Sequence, residues 1–350
     1  MRLPQRLASL CALALTCLAG CAGAPVDAQY PAGYAPPAPP GAYAPGQLPQ
    51  GSTYPSPQPS PAAQPAPVVN DPINTMDVAW LRATAGAVLT ELIAALPPAA
   101  QQRVQGVPFF SDSTVGEVNA YAACKGDFAF MAMSDGLLQI EAYTAQLRAV
   151  DELFGTSKLD GYLTMVAKYQ KPHQAIVSPP TGYVDAAQTV DPRKVARQHQ
   201  LLEEQIAFVL GHELGHHHLG HTGCARGQAA ARAPSLLDLG LDLGRQVTQV
   251  VPVFNQPNEA WADMAGVNDL LTAGARRQGY HWTEQGALLT LDFFARLDQM
   301  AKADPLTPDG LLYTFTSSHP RPGDRVPGVR RAAAEWRARG GVAVYPPALP

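Results

Sequence analysis

The residues best suited to chemistry are His212-Glu213-Leu214-Gly215-His216, an HExxH pattern inside a long stretch of helical apolar periodicity. On a helix, positions i and i+4 share a face, so His212 and His216 can grip one zinc ion. Glu213, one residue on, is placed to act on water there as a general base. His217 and His221 repeat the spacing, with His218 between them. A second metal site or a metal-scavenging histidine tract therefore stays open as an alternative. Only the first pair carries a following Glu, so His217 and His218 are expected on other helix faces as polar surface. His221, near the helix end, is expected to support a ligand. A catalytic zinc usually takes three protein ligands and keeps one position open. The best third ligand is Glu259, in Asn258-Glu259-Ala260-Trp261-Ala262-Asp263. Glu259 and Asp263 are again i and i+4, so one helix can present a ligand and a carboxylate that orients a ligand histidine. The opposing reading is two solvated acids on a helix surface.

These residues need helices to hold them. The metal helix is predicted over 195–219, opened by Asp191-Pro192, with Leu201, Leu202, Ile206, Val209 and Leu210 on its buried face. Helices are also predicted over 77–96, 137–154, 236–251, 258–273, 284–302 and 326–339. Strand signals lie at Val107 to Phe110 and Phe128 to Met133, the latter after a Cys-Lys-Gly turn. Residues 155–198 mix Gly, Pro and polar residues and read as an irregular insertion. The fold class is α+β, predominantly helical, with one small sheet.

The chain has 350 residues and a net charge of −4, and only 15% of its residues are charged, against about 25% in an ordinary soluble domain. No basic excess points to a nucleic-acid partner. No apolar run reaches the roughly 18 to 20 residues of a spanning helix, which argues against a polytopic membrane protein. The low charge has a local source. Arg2 and Arg6 precede a short apolar run, Leu7 to Leu18, and Leu18-Ala19-Gly20-Cys21 reads as a lipobox, so residues 1–20 are a lipoprotein signal and Cys21 is the acylated residue. Ala22 rather than Asp after Cys21 favours the outer membrane. Residues 28–70 contain no Asp, Glu, Lys or Arg but hold 13 of the 34 prolines. Residues 21–70 are thus a lipid-anchored, extended linker reaching up to roughly 100 Å, and the folded domain spans 71–345.

Four blocks, in order, resemble the M48 family of zinc metallopeptidases. They are Val118-Asn119-Ala120-Tyr121 with Gly136-Leu137-Leu138; His212 to His216 with His221; Glu259 to Asp263; and Ser318-His319-Pro320 with Arg325. The resemblance covers about residues 75–335 and implies a zincin-like fold. It makes His212, His216 and Glu259 the ligands of one zinc, Glu213 the base, and Asp263 and His221 supports. By the same resemblance His319 lies on a loop near the metal, filling the open position or stabilising the oxyanion. Arg325 is an oxyanion or structural partner, and Asn119 lies near the cleft. The strand around Phe128 and Phe130 would be the edge that holds extended substrate. The resemblance also sets Cys124 beside Cys224, and an even pair in an oxidising compartment suits a disulfide.

The expected function is a zinc endopeptidase of the bacterial envelope, facing the periplasm and acting on misfolded or stalled envelope proteins. The rival is a non-proteolytic chaperone or assembly factor of the same fold with a masked zinc.

Overall fold

The computed structural model describes residues 66–125, 127–171, 173–224, 256–303, 319 and 321–348. The lipobox, Cys21, most of the linker and the helix predicted over 236–251 lie outside the described residues.

Helix α1 (Val78–Ala95) starts at Asp77, whose carboxylate accepts the Trp80 N–H at 3.1 Å. Its buried stripe is Leu81, Ala85, Val88, Leu89 and Leu92. At 18 residues and a mean hydropathy of 1.4, α1 is long and apolar enough to cross a membrane by length and composition. It carries Arg82 and Glu91, so it is not an unbroken apolar run. In this fold the stripe of α1 joins the hydrophobic core. The short α2 (Pro98–Val104) follows, opened by its proline.

Strands β1 (Phe109–Asp112), β2 (Ala120–Lys125) and β3 (Phe128–Ser134) form one sheet in the order β1-β3-β2. β3 runs parallel to β1 and antiparallel to β2. The strand predicted to be the substrate edge is therefore the central one, and β2 is an edge. Strand order is a long-range property that a local pattern does not carry. Ser134 ends β3 and caps α3 (Asp135–Phe154), accepting from the Leu137 N–H; Gly155 closes that helix in the left-handed conformation, at φ 65°.

The stretch read as an irregular insertion holds α4 (Lys158–Tyr169) and α5 (Ala186–Thr189), and α6 begins at Pro192. In α4 the buried residues Leu159, Tyr162, Leu163 and Val166 recur at helical spacing. Helix α6 (Pro192–His218) is the spine, capped by the Asp191 carboxylate on the Arg193 N–H at 2.9 Å. From Gln205 to His218 every residue is buried, as befits a helix enclosed on all sides.

Helices α7 (Gln256–Ala275), α8 (Gln285–Ala303) and α9 (Pro322–Ala338) complete the described residues. The buried Glu204 of α6 caps α8, accepting the Thr283 N–H at 2.8 Å and the Gly286 N–H at 3.1 Å. α9 starts four residues before its predicted start. Pro322 occupies the first turn, where no N–H is needed, and Val329, Ala332 and Ala333 are buried; Pro327 is carried inside the helix.

Candidate metal centre

The site forms where α6 and α7 touch. A Cβ on Gly266 would stand 2.8 Å from the His212 backbone N, and one on Gly215 would stand 3.0 Å from the Ala265 Cβ. Only missing side chains allow this approach. It brings Glu259 and Asp263 of α7 against His212 and His216 of α6.

Donor atoms of three residues converge there. His212 Nε2 and His216 Nε2 are 3.1 Å apart, His212 Nε2 is 3.5 Å from Glu259 Oε2, and His216 Nε2 is 3.3 Å from Glu259 Oε1. A tetrahedral zinc with bonds of 2.0–2.1 Å has ligand–ligand edges of about 3.3 Å. The three distances lie near that figure, the two to Glu259 running to different oxygens of its carboxylate.

The rings are also turned correctly. The Asp263 carboxylate can only accept, so His212 Nδ1 donates to its Oδ1 at 3.0 Å and Nε2 is left with its lone pair facing the centre. His216 Nδ1 lies 3.0 Å from His221 Nδ1; a proton on the former frees His216 Nε2 in the same way. His221 therefore supports a ligand and does not bind with His217. Glu259 Oε1 is buried without a hydrogen-bond partner. Facing lone pairs with an orphaned carboxylate oxygen are reconciled by a cation.

A proton can occupy the same centre. Burial and the Arg325 charge lower the His212 imidazole, but Asp263 and Glu259 outweigh them and carry it to about 9. Burial pushes His216 down to about 3, leaving a neutral imidazole. Burial also opposes ionisation of Glu259, yet the surrounding histidines hold it well below the usual carboxylate range. Metal binding must displace that proton.

Glu213 is buried beside the cluster, with Oε1 3.3 Å from His319 Nε2 and Oε2 without a hydrogen-bond partner. Burial raises its pKa, against the pull of His319, His212 and the Ala122 N–H. His319 reaches the centre across 199 positions of chain: Nε2 lies 3.0 Å from the Ala120 carbonyl and Nδ1 lies 3.3 Å from Glu259 Oε2. Both ring nitrogens of His319 thus face acceptors, Nε2 the Ala120 carbonyl and Nδ1 the Glu259 carboxylate, and the nitrogen without a proton offers a lone pair. His212, His216, Glu259 and His319 each offer an atom within 4.8 Å of the others. Arg325 clamps Asp263 with two hydrogen bonds, Nε to Oδ2 at 2.9 Å and a terminal nitrogen to Oδ1 at 2.5 Å. That is the structural partner of the two roles expected for it.

The remaining assignments divide. Cys124 and Cys224 are disulfide-bonded, with Cα atoms 6.1 Å apart, and the bond ties the end of β2 to the segment after α6. Asn119 is buried next to Ala120, and its side chain bonds Glu117. Phe130 is buried in a separate cluster with Tyr121, Ala123 and Ala132, and Phe128 packs on it. In β3 the alternate residues Met131 and Met133 face the main core, so the two phenylalanines occupy the other face of the sheet. His217 and His218 are buried, not surface: His217 Nε2 donates to the Phe130 carbonyl at 3.0 Å, and His218 Nε2 lies 3.6 Å from Asp269. The end of α6 is wedged between sheet and α7, with His217 hydrogen-bonded to the sheet and His218 facing Asp269 of α7.

A helical fold with a small sheet, two imidazoles from an HExxH helix and a carboxylate from the next helix define a zincin-like metallopeptidase. Residues 198–333 match the model of peptidase family M48. The match begins after the 155–198 stretch, so the blocks at Val118 to Tyr121 and Gly136 to Leu138 lie ahead of it. No curated protein and no solved structure matches the chain.

Proposed function

We propose that this chain is a zinc endopeptidase of the bacterial cell envelope, lipid-anchored through Cys21 at the outer membrane and facing the periplasm. Its substrates are misfolded or stalled envelope proteins. The lipobox and the uncharged proline-rich linker support the location. The observation that carries the activity is Glu213, whose Oε2 is buried without a partner beside three convergent metal donors.

His212, His216 and Glu259 would hold the zinc. When bound, zinc supplies Lewis-acid polarisation of water and of the peptide carbonyl. Glu213 Oε2 takes the proton from the attacking water and passes it to the leaving amine nitrogen. Asp263, fixed by Arg325, keeps the proton of His212 on Nδ1. The edge of β2 carries the Ala120 carbonyl, held by His319, and the Ala122 N–H, held by Glu213, and an extended peptide would add as a strand there by displacing them.

His319 favours a second reading, a latent chaperone or assembly factor. Its ring stands beside the three donor residues with Nδ1 toward Glu259, and its Nε2 lies against the Ala120 carbonyl that substrate would need. In the peptidase reading substrate displaces His319; in the latent reading nothing does.

Glu213→Gln decides between them. It is expected to cut casein cleavage by about 10²- to 10⁴-fold while keeping one zinc per chain by atomic emission. Cleavage unchanged in that variant refutes the mechanism.

A further inference from the structure

A groove of about 520 Å³ lies between α7 and α9 and opens beside Glu259. That volume is in the range of ligand sites, and no step of the proposed catalysis uses it. Its α9 wall is one stripe, Asp324, Gly328, Arg331 and Glu335, and on the α7 side Trp261 and Met264 supply apolar surface. The stripe covers eleven residues of helix rise, about 16 Å, the length of four to five extended residues.

Two observations say what fits there. Gly328 sits inside α9, where glycine is a poor helix former. Its φ is not positive, and nothing lies within 4 Å of the place its Cβ would take. Neither backbone conformation nor packing asks for glycine, and its effect is to keep the groove floor open. The second is charge. Asp324 pairs with Arg321 at 3.9 Å and Glu335 with Arg339 at 3.7 Å. The exposed Arg331 has no ion-pair partner among the described residues, so it is the arginine of the groove wall left to meet an acidic group.

We propose that this groove seats a substrate segment of four to five residues that is apolar and carries one carboxylate. The carboxylate meets Arg331, and the apolar side chains lie on Trp261 and Met264. The inference rests on the peptidase reading, since it makes the groove an extension of the cleft at Glu259.

The test measures binding apart from turnover. Full-length, zinc-loaded Glu213→Gln protein is titrated into a fluorescein-labelled 12-residue peptide with Leu-Phe-Asp at its centre, and into the same peptide with Lys for Asp. Fluorescence anisotropy is expected to show the acidic peptide bound up to about 5-fold tighter, the ratio an exposed ion pair can carry. Adding Arg331→Glu should reverse that preference. Adding Gly328→Leu should weaken both peptides by about 10-fold with zinc content unchanged, whereas Gly86→Leu, at an equally open position on α1, should change neither. Wild-type affinities in both groove variants overturn the proposal, as does a dimer in sedimentation that Gly328→Leu abolishes, which would assign the groove to a second copy. Selective binding without any cleavage by the wild-type chain removes the peptidase reading and leaves the groove. Cleavage without selectivity removes the groove and leaves the peptidase.

Discussion

Gly266→Ala tests whether the contact between α6 and α7 sets the metal geometry. The new Cβ would stand 2.8 Å from the His212 backbone N and 3.2 Å from the Gly211 carbonyl carbon. Ordinary contact begins at about 3.4 Å, so the backbones must part by about 0.6 Å, both atoms being main chain that cannot swing aside. The edges that cross between the helices, 3.5 and 3.3 Å, would stretch to about 4 Å. Metal bonds would lengthen by about 0.3 Å, beyond the roughly 0.2 Å a good site tolerates. Stability should change much less. Overpacking costs about 1–3 kcal/mol, and replacing a helical glycine by alanine returns about 1 kcal/mol. The net loss is about 0–2 kcal/mol in the metal-free protein. Zinc affinity, by competition with a chelator, should fall at least about 10-fold. Gly86→Ala, with open space around its Cβ, should stabilise by up to about 1 kcal/mol and leave zinc affinity alone. Zinc affinity within about twofold of wild type in Gly266→Ala would refute the claim that this contact sets the spacing.

His319→Ala should raise basal cleavage or self-cleavage while zinc stays bound; normal zinc with sharply reduced turnover would make His319 a transition-state stabiliser instead. Lys194 is fully buried, its ammonium 2.5 Å from Asn74 Oδ1, and burial lowers its pKa from 10.5 to about 8 against the pull of Asp71. The folded state therefore binds fewer protons than the unfolded chain between these values, and stability should rise with pH through that window. Lys194→Met should flatten the rise between pH 8 and 10 in urea titrations and gain up to about 3 kcal/mol at pH 7; an unchanged pH slope would count against it. Cys124 and Cys224 are 100 positions apart, so reducing the disulfide should cost about 4–5 kcal/mol in the chain-entropy model, read as a lower Tm under reductant; an unmoved Tm would argue against that figure.

What could be read from the sequence was set by how local each feature is. His212, Glu213, His216, Glu259 and Asp263 each lie within one helical turn of a partner, and i,i+4 spacing places such pairs without knowledge of the fold. The burial of His217 and His218 was less accessible, because polarity argued for solvent. A signal was nevertheless present: Ile206 to Leu210 is apolar on every side of the helix, and all five residues are buried, so no face was left for a solvated histidine about two turns further on. The helix α4 shows its period in Leu159, Tyr162, Leu163 and Val166, but Gly161 and the prolines further along drew attention to its loop-like surroundings.

The sheet was the hardest part, because strand order depends on partners far apart in sequence. Phe128 to Met133 has the apolar content of a strand, and that content is as consistent with a centre as with an edge. Two facts settle it only together: β1 pairs with β3 in parallel, and β2 pairs with it in antiparallel. The consequence for function is specific. With β2 as the edge, the backbone beside the metal helix is the Ala120 to Ala122 segment, one residue beyond Asn119. His319 bonds that same carbonyl from the far end of the chain. The residue nearest the fourth metal position is thus also the one that covers the strand edge a peptide needs. Displacing that imidazole would free the Ala120 carbonyl and the space beside the metal donors in one motion, while the Ala122 N–H stays on Glu213.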